Sequence, residues 1–272
     1  MTGAIDYAVA GPLTRIDGLH EPVLESLPSD PVEICRVVHD LVIQPTDAKS
    51  SGVPAERFVE NQHRPVDKLI GALLALDPAP VTVPRASDRR VIGTCRHFAV
   101  LSCALLRYRG IAARARCGFA TYVQAGQGVD HWITEYRHDG RWVRIDSEIL
   151  DGCLVAKPED LAAGEFLTGG EAWMAFRDGR VDAKDFGVYG TDNWGPAEIR
   201  GNAVRDLAAV NRVEMLPWDE WGRMEASYKG ETGPDYDELI DTIAATCATD
   251  DPRAIASLYA SEDLAVPTAL LR

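Results

Sequence analysis

Apolar positions recur at helical spacing in three places before residue 110. Val32, Cys35, Val38 and Val42 follow Asp30-Pro31-Val32-Glu33. There Asp30 can cap, Pro31 suits the first helical position and Glu33 can reach back to the start. That helix is predicted to end at Gln44-Pro45, and residues 45–64 read as polar and irregular. Pro65 opens a second helix with Val66, Leu69, Ile70, Leu73 and Leu74 on one stripe, stopped by Asp77-Pro78-Ala79-Pro80. Thr94 can cap a third, running from Cys95 to about Arg109 and closed by Gly110. Phe98, Ala99, Leu101, Ala104 and Leu105 make it apolar nearly all round, which predicts a central, buried helix.

The period then changes to two. Residues 112–123, 130–137 and 141–147 read as strands, and Asp139-Gly140 between the last two is a strong hairpin signal. With Asp139 and Gly140 as a two-residue turn, the numbers of each cross-strand pair sum to 279. His131, Ile133, Asp146 and Glu148 then share one face, and His131 and Asp146 are diagonal neighbours. Glu135 falls opposite Arg144, while Trp132, Thr134, Tyr136, Val143 and Ile145 take the other face. After residue 158 the pattern turns helical, at 158–163, 170–178, 196–211, 217–228, 234–248 and 252–260. The expected architecture is α+β: a central helix on an antiparallel sheet within residues 1–160, and a helical extension over 161–272. The first 28 residues carry no clear pattern.

Composition changes the picture only in charge. Of 272 residues 46% are hydrophobic and 26% charged, which fits a folded chain. The net charge of −14 disfavours nucleic acid and anionic membrane surfaces as partners. Eight arginines lie in 85–116 against one acid, Asp88, and nine acids in 231–263 against one base, Arg253. The favoured reading is two solvated faces that attract each other. The sharper alternative is a positive cleft for a carboxylate or phosphate. No apolar run approaches the roughly 20 residues of a membrane span. Met1 to Gly11 lacks a basic segment and carries Asp6, so a cytoplasmic protein without signal peptide is expected. The cysteines, at 35, 95, 103, 117, 153 and 247, form no C-x-x-C and read mostly as reduced, buried thiols.

Cys95 is the exception. At the first turn of a helix, free N–H groups and the macrodipole favour a thiolate. A thiolate nucleophile needs a base held by a third group, and the hairpin offers His131 with Asp146 on the same face.

Gly93-Thr94-Cys95, the stretch Leu106 to Arg114 containing Gly110-Ile111, His131-Trp132 at a strand start and Ile145-Asp146 at a strand end resemble the transglutaminase-like superfamily of papain-like cysteine enzymes. The resemblance covers about 60 residues. It implies Cys95 as nucleophile, His131 as general base and acid, and Asp146 as orienter. The sequence departs from the family where Ser147 stands for a frequent Pro and where Trp132 directly follows His131. By analogy with papain-like enzymes a second oxyanion donor comes from an upstream loop, and Gln62 in Asn61-Gln62-His63 is the candidate. The implied reaction is acyl transfer through a Cys95 thioester. The acyl donor is a small molecule or peptide and the acceptor is water or an amine, with no cofactor and no metal. An arylamine N-acetyltransferase-like enzyme and a catalytically idle binding module on the same fold are the alternatives.

Other features weigh less. Cys35 and His39 lie one helical turn apart but lack further metal ligands, so they read as packing. His97 points away from Cys95 and reads as structural. Gly169-Gly170 reads as a turn, because no phosphate-loop signature accompanies it. Asp192-Asn193-Trp194-Gly195-Pro196 reads as a helix lead-in or a pocket wall. Trp173, Trp194, Trp218 and Trp221 fit core or cleft alike.

Overall fold

The computed structural model describes residues 4–152, 154–261 and 263–271; Cys153 lies outside the described residues. In chain order the elements are α1 (Pro31–His39), β1 (Val42–Ile43), α2 (Pro45–Ser50), α3 (Val66–Leu76), β2 (Val91–Ile92), α4 (Cys95–Tyr108), β3 (Ala113–Ala120), β4 (Gly128–His138), β5 (Arg141–Ile145), β6 (Phe166–Thr168), α5 (Gly169–Arg177), β7 (Phe186–Gly187), α6 (Pro196–Val210), α7 (Met224–Tyr228), α8 (Pro234–Ala248) and α9 (Pro252–Tyr259). The fold is α+β. One sheet follows the order β5-β4-β3-β6, with β7 also on β4, and β1 and β2 form a separate pair. The chain divides into two units, made mainly of Tyr7–Ala115 with Ile133–Asp160 and of Arg116–Trp132 with Leu161–Leu270. One division falls after Asp160, where the sequence pattern changes. The grouping of 116–132 with the later residues has no counterpart in that pattern.

In the first unit α1 starts as its sequence dictates. Asp30 accepts the N–H groups of Val32 and Glu33 at 2.9 and 3.0 Å, and Pro31 occupies the first turn. The helix stops at His39, five residues before the predicted end, and Val42 belongs to β1. Pro45 opens α2, and Ala55–Gln62 is a 3-10 helix. A two-residue strand leaves no alternation to read, and a proline that starts a helix looks in sequence like one that stops it. β1 pairs with β2 in parallel, Val42 with Val91 and Ile43 with Ile92. α1 and α3 pack on α4, in which every residue from Cys95 to Arg107 is buried. Thr134 Oγ1 of β4 donates to the Ala99 carbonyl of α4 at 3.0 Å, fixing the central helix to the strand.

The β4–β5 hairpin has the predicted register, from Thr134 opposite Ile145 to His138 opposite Arg141. Asp139 and Gly140 have φ of 47° and 78°, the pair of positive values that a tight right-twisting hairpin turn needs. Arg144 Nε meets Glu135 Oε1 at 3.0 Å, and Arg114 Nε takes the other oxygen at 2.6 Å.

In the second unit β3 pairs antiparallel with β6, and β7 runs parallel to the start of β4. α5 packs on α6 and α8. Gly169-Gly170 forms the first turn of α5, where Thr168 and Glu171 make a capping box. A Cβ on Gly169 would lie 2.3 Å from the Ala203 amide of α6, so this glycine is a backbone crossing point. Residues 158–163 are turns and extended chain instead of a helix, and the helix expected over 217–228 shrinks to Met224–Tyr228. Asp192 to Pro196 is a lead-in: Gly195 caps α6 with φ 111°, and Trp194 Nε1 donates to Thr191 O at 3.0 Å.

The arginine-rich stretch is no solvated face. Arg85, Arg96, Arg107, Arg114 and Arg116 are all buried. Arg85 binds the carbonyls of Leu73 and Ala79, Arg96 those of His63 and Arg64, and Arg109 those of Glu25 and Leu27. Arg116 is clamped on Asp206, with Nη2 to Oδ2 at 2.8 Å and Nε to Oδ1 at 2.9 Å. Acids of 231–263 have arginine partners in their own unit: Asp235 and Asp263 on Arg223, Asp237 on Arg200 and Asp241 on Arg177. The guanidinium fork explains this use, because its planar donors can brace several loop and helix-end carbonyls at once.

Candidate active site

Gly93 follows β2 and precedes the Thr94 cap. A Cβ at Gly93 would lie 2.6 Å from His97 Cβ and 3.1 Å from a Val42 methyl. The glycine thus makes room for the imidazole that closes the cap. Thr94 N–H donates to His97 Nδ1 at 3.0 Å, and the Thr94 side chain accepts from the His97 backbone. Burial and the neighbouring Arg96 hold the His97 pKa well below the usual imidazole range, so the ring is neutral and accepts at Nδ1. His97 is therefore a structural cap, and it leaves Cys95 as the first residue of α4.

Gln44 directly follows β1, as Gly93 directly follows β2, and the two strands are parallel neighbours. Both loops accordingly leave the same end of the pair. Gln44 Nε2 donates to Glu148 Oε1 at 2.7 Å. A Glu148 carboxyl oxygen lies within 4.8 Å of Cys95 Sγ. Asp146, one residue past β5, is 1% exposed. Its N–H donates to the Pro158 carbonyl at 2.9 Å, and its Oδ1 accepts the Glu148 N–H at 3.0 Å. Cys95, Gln44, Asp146 and Glu148 thus belong to one unit. His131 lies on β4 just before the division after Trp132; it is 5% exposed, with the Tyr122 ring edge-on at 6.0 Å.

Gln62 is exposed at the end of a 3-10 helix, and its amide donates to Asn61 Oδ1 at 2.8 Å. The two residues that sequence reading gave no role are Gln44 and Glu148. The only sign of Gln44 was its place between a short apolar run and Pro45. Glu148 shares the face of Asp146 by the hairpin pattern, and the sequence assigns it no task.

Cys35 and His39 each have partners of their own. Burial pushes the Cys35 thiol up to about 11, with Ser147 and Ser102 as its hydrogen-bond partners. His39 bonds Ser147 O through Nδ1 at 3.2 Å and Asp151 through Nε2 at 3.1 Å. Among the described residues no helix is long and apolar enough to cross a membrane.

Residues 77–147, about a quarter of the chain, match the family model of the Transglutaminase-like superfamily. A solved structure of a candidate cysteine protease from Cytophaga hutchinsonii aligns at 18% identity and a TM-score of 0.20. The alignment covers 60% of this chain and 56% of that one, so the chain spans less than two thirds of its length. No curated protein matches the chain.

Proposed function

We propose, from the transglutaminase-like core at residues 77–147, that the protein is a cysteine-dependent acyl-transfer enzyme with Cys95, His131 and Asp146 as its catalytic residues. The observation that carries this reading is the β4–β5 register. β4 is one unbroken strand from Gly128 to His138, and residues two apart on a strand share a face. Continued past Thr134, that register would set Ile133 opposite Asp146 and give His131 the same face as Asp146. A slip of one residue would separate them.

In the proposed reaction His131 takes the thiol proton as the Cys95 sulfur bonds to the carbonyl carbon of the donor. The tetrahedral intermediate collapses, the bond to the leaving amine or thiol breaks, and His131 returns the proton to that group. Water or an amine then attacks the thioester, giving hydrolysis or amide formation and freeing Cys95. Asp146 holds the imidazole in the required tautomer and supports the imidazolium. The oxyanion takes the Cys95 N–H and a side-chain amide. Gln44 is the better placed of the two upstream glutamines, because its amide already reaches the carboxyl beside the sulfur, whereas Gln62 is exposed. The donor is a small molecule or peptide, with no nucleic-acid or membrane partner and no cofactor, and the reaction is placed in the cytoplasm.

Intact-mass measurement after incubation with acyl thioesters and peptide amides tests this. Wild type should gain one acyl increment and Cys95→Ala none. Asp146→Asn keeps an acceptor for the Glu148 N–H, so it should stay folded while acylation slows by about 10²–10⁴-fold. An increment on Cys95→Ala, or unchanged acylation in Asp146→Asn, would overturn the assignment.

A further inference from the structure

The second unit contains a cavity of about 300 Å³ whose walls include Asp130, Glu198, Arg205, Trp218, Glu220 and Tyr228. Arg205 is 2% exposed and Glu198 4%. Arg205 Nη1 is shared by Glu198 Oε1 at 3.3 Å, Asn202 Oδ1 at 3.1 Å and the Tyr228 hydroxyl at 3.1 Å. Asn202 donates in turn to Asp130 Oδ1 at 2.7 Å and to the Gly118 carbonyl at 3.1 Å. Arg205 Nε is buried and makes no hydrogen bond among the described residues.

Two features of this cavity ask for a ligand. Three carboxyl groups, Asp130, Glu198 and Glu220, line the cavity with one guanidinium, so their full ionisation would leave the lining an excess of negative charge. Burial pushes both Asp130 and Glu198 upward, the mark of carboxylates short of counter-charge. Independently, the buried Arg205 Nε–H is a donor in want of an acceptor. A buried charged network is weak support for stability in itself, since well-packed apolar residues do as well. A ligand that carries a cation and an acceptor side by side answers both features. Trp218, 43% exposed, supplies an aromatic face suited to an ammonium group.

We propose that this cavity binds a primary ammonium group with a carbonyl or carboxyl oxygen beside it, as in an α-amino acid or the amino terminus of a peptide. The carboxylates of Asp130 and Glu198 take the ammonium and Arg205 takes the oxygen, while Val188 and Pro217 offer an apolar wall to the side chain. The volume is at the small end of ligand pockets, which suits one residue better than an extended chain. Asp130 immediately precedes His131, so the site adjoins the proposed catalytic histidine in the sequence. The proposal concerns binding and stands apart from the Cys95 chemistry.

Isothermal titration calorimetry of the full chain near pH 7, where an α-amino group is still mostly protonated, tests it with L-leucinamide, L-leucine and N-acetyl-L-leucinamide. Leucinamide should bind at least about ten-fold more tightly than its N-acetyl form, which lacks the cation. Glu198→Gln and Trp218→Ala should each weaken leucinamide about ten-fold. Leucine binding as well as leucinamide identifies free amino acids, and leucine binding much more weakly identifies peptide amino termini; both support the shared chemistry. Failure of both ammonium ligands to bind, equal binding of the N-acetyl form, or wild-type affinity in both variants would overturn it. If Glu198→Gln fails to fold, Trp218→Ala at the exposed rim decides alone.

Discussion

Gln44 Nε2 donates to Glu148 Oε1 over 2.7 Å, tying the residue after β1 to a carboxyl beside the Cys95 sulfur. In the proposed reaction a donor held there would turn to the acyl oxyanion once substrate enters. Gln44→Ala should lower the acylation rate about 10²-fold with little change in KM, as loss of one oxyanion donor does. Gln62→Ala, which removes an exposed amide bonded to Asn61, should stay near wild type. Single-turnover kinetics of the two variants decide between them, and the reverse ranking would return the role to Gln62.

Thiol reactivity separates activation from exposure. Cys247 is half-buried, whereas Cys95 is only 7% exposed. Access alone would therefore favour Cys247. A helix-start thiolate should reverse that order, so limiting iodoacetamide near neutral pH should label Cys95 first. Cys35, buried and pushed up to about 11, should stay unlabelled. Peptide mapping at partial labelling reads the order, and Cys247 ahead of Cys95 would count against an activated nucleophile.

The same substitution at two glycines should have opposite effects. Gly93→Ala places a Cβ 2.6 Å from His97 Cβ, on a ring pinned by the Thr94 N–H. The cap must shift, at a cost of about 1–3 kcal/mol, and Cys95 labelling should slow with it. Gly71→Ala, inside α3 with nothing within 4 Å of the new methyl, should stabilise by about 0.5–1 kcal/mol. Urea unfolding of both variants measures the contrast.

What the sequence revealed depended on how local the signal was. α4, its Thr94 cap and the β4–β5 hairpin were readable because capping residues, an unbroken apolar run and Asp139-Gly140 act over a few neighbours. The strands β1, β2, β6 and β7 have two or three residues each, too few to show a period. β1 and β2 nevertheless carry Gln44 and Gly93 at their ends, so the approach of Gln44 to Glu148 was hidden along with them. The arginines of 85–116 looked like a surface charge block, because one-dimensional charge counts cannot show that Arg85, Arg96 and Arg109 brace distant carbonyls. The cavity was equally hidden: Asp130 is brought to Glu198 and Arg205 by tertiary packing across about 70 residues of chain.

Glu198 gives the second unit a pH-dependent stability of predictable sign. Burial raises its pKa from 4.5 to about 7, against the pull of Arg205 and with Asp130 adding to the push; Tyr228 also borders it. The folded state therefore holds the proton more tightly than the unfolded chain. The resulting stabilisation is fully present below about pH 4.5 and is lost as pH rises through about 7, then levels off. Glu198→Gln keeps the neutral shape and removes the titration. Between pH 5 and 8 wild type should lose of order 1–3 kcal/mol relative to Glu198→Gln. Urea unfolding of both proteins at the two pH values measures this double difference, in which groups titrating alike in both proteins cancel. A wild type that gains stability over this range relative to Glu198→Gln would mean that Arg205 outweighs burial and that Glu198 is ionised throughout. L-leucinamide at saturating concentration should shrink the difference, because an ammonium supplies at pH 8 the counter-charge that the proton supplies at pH 5.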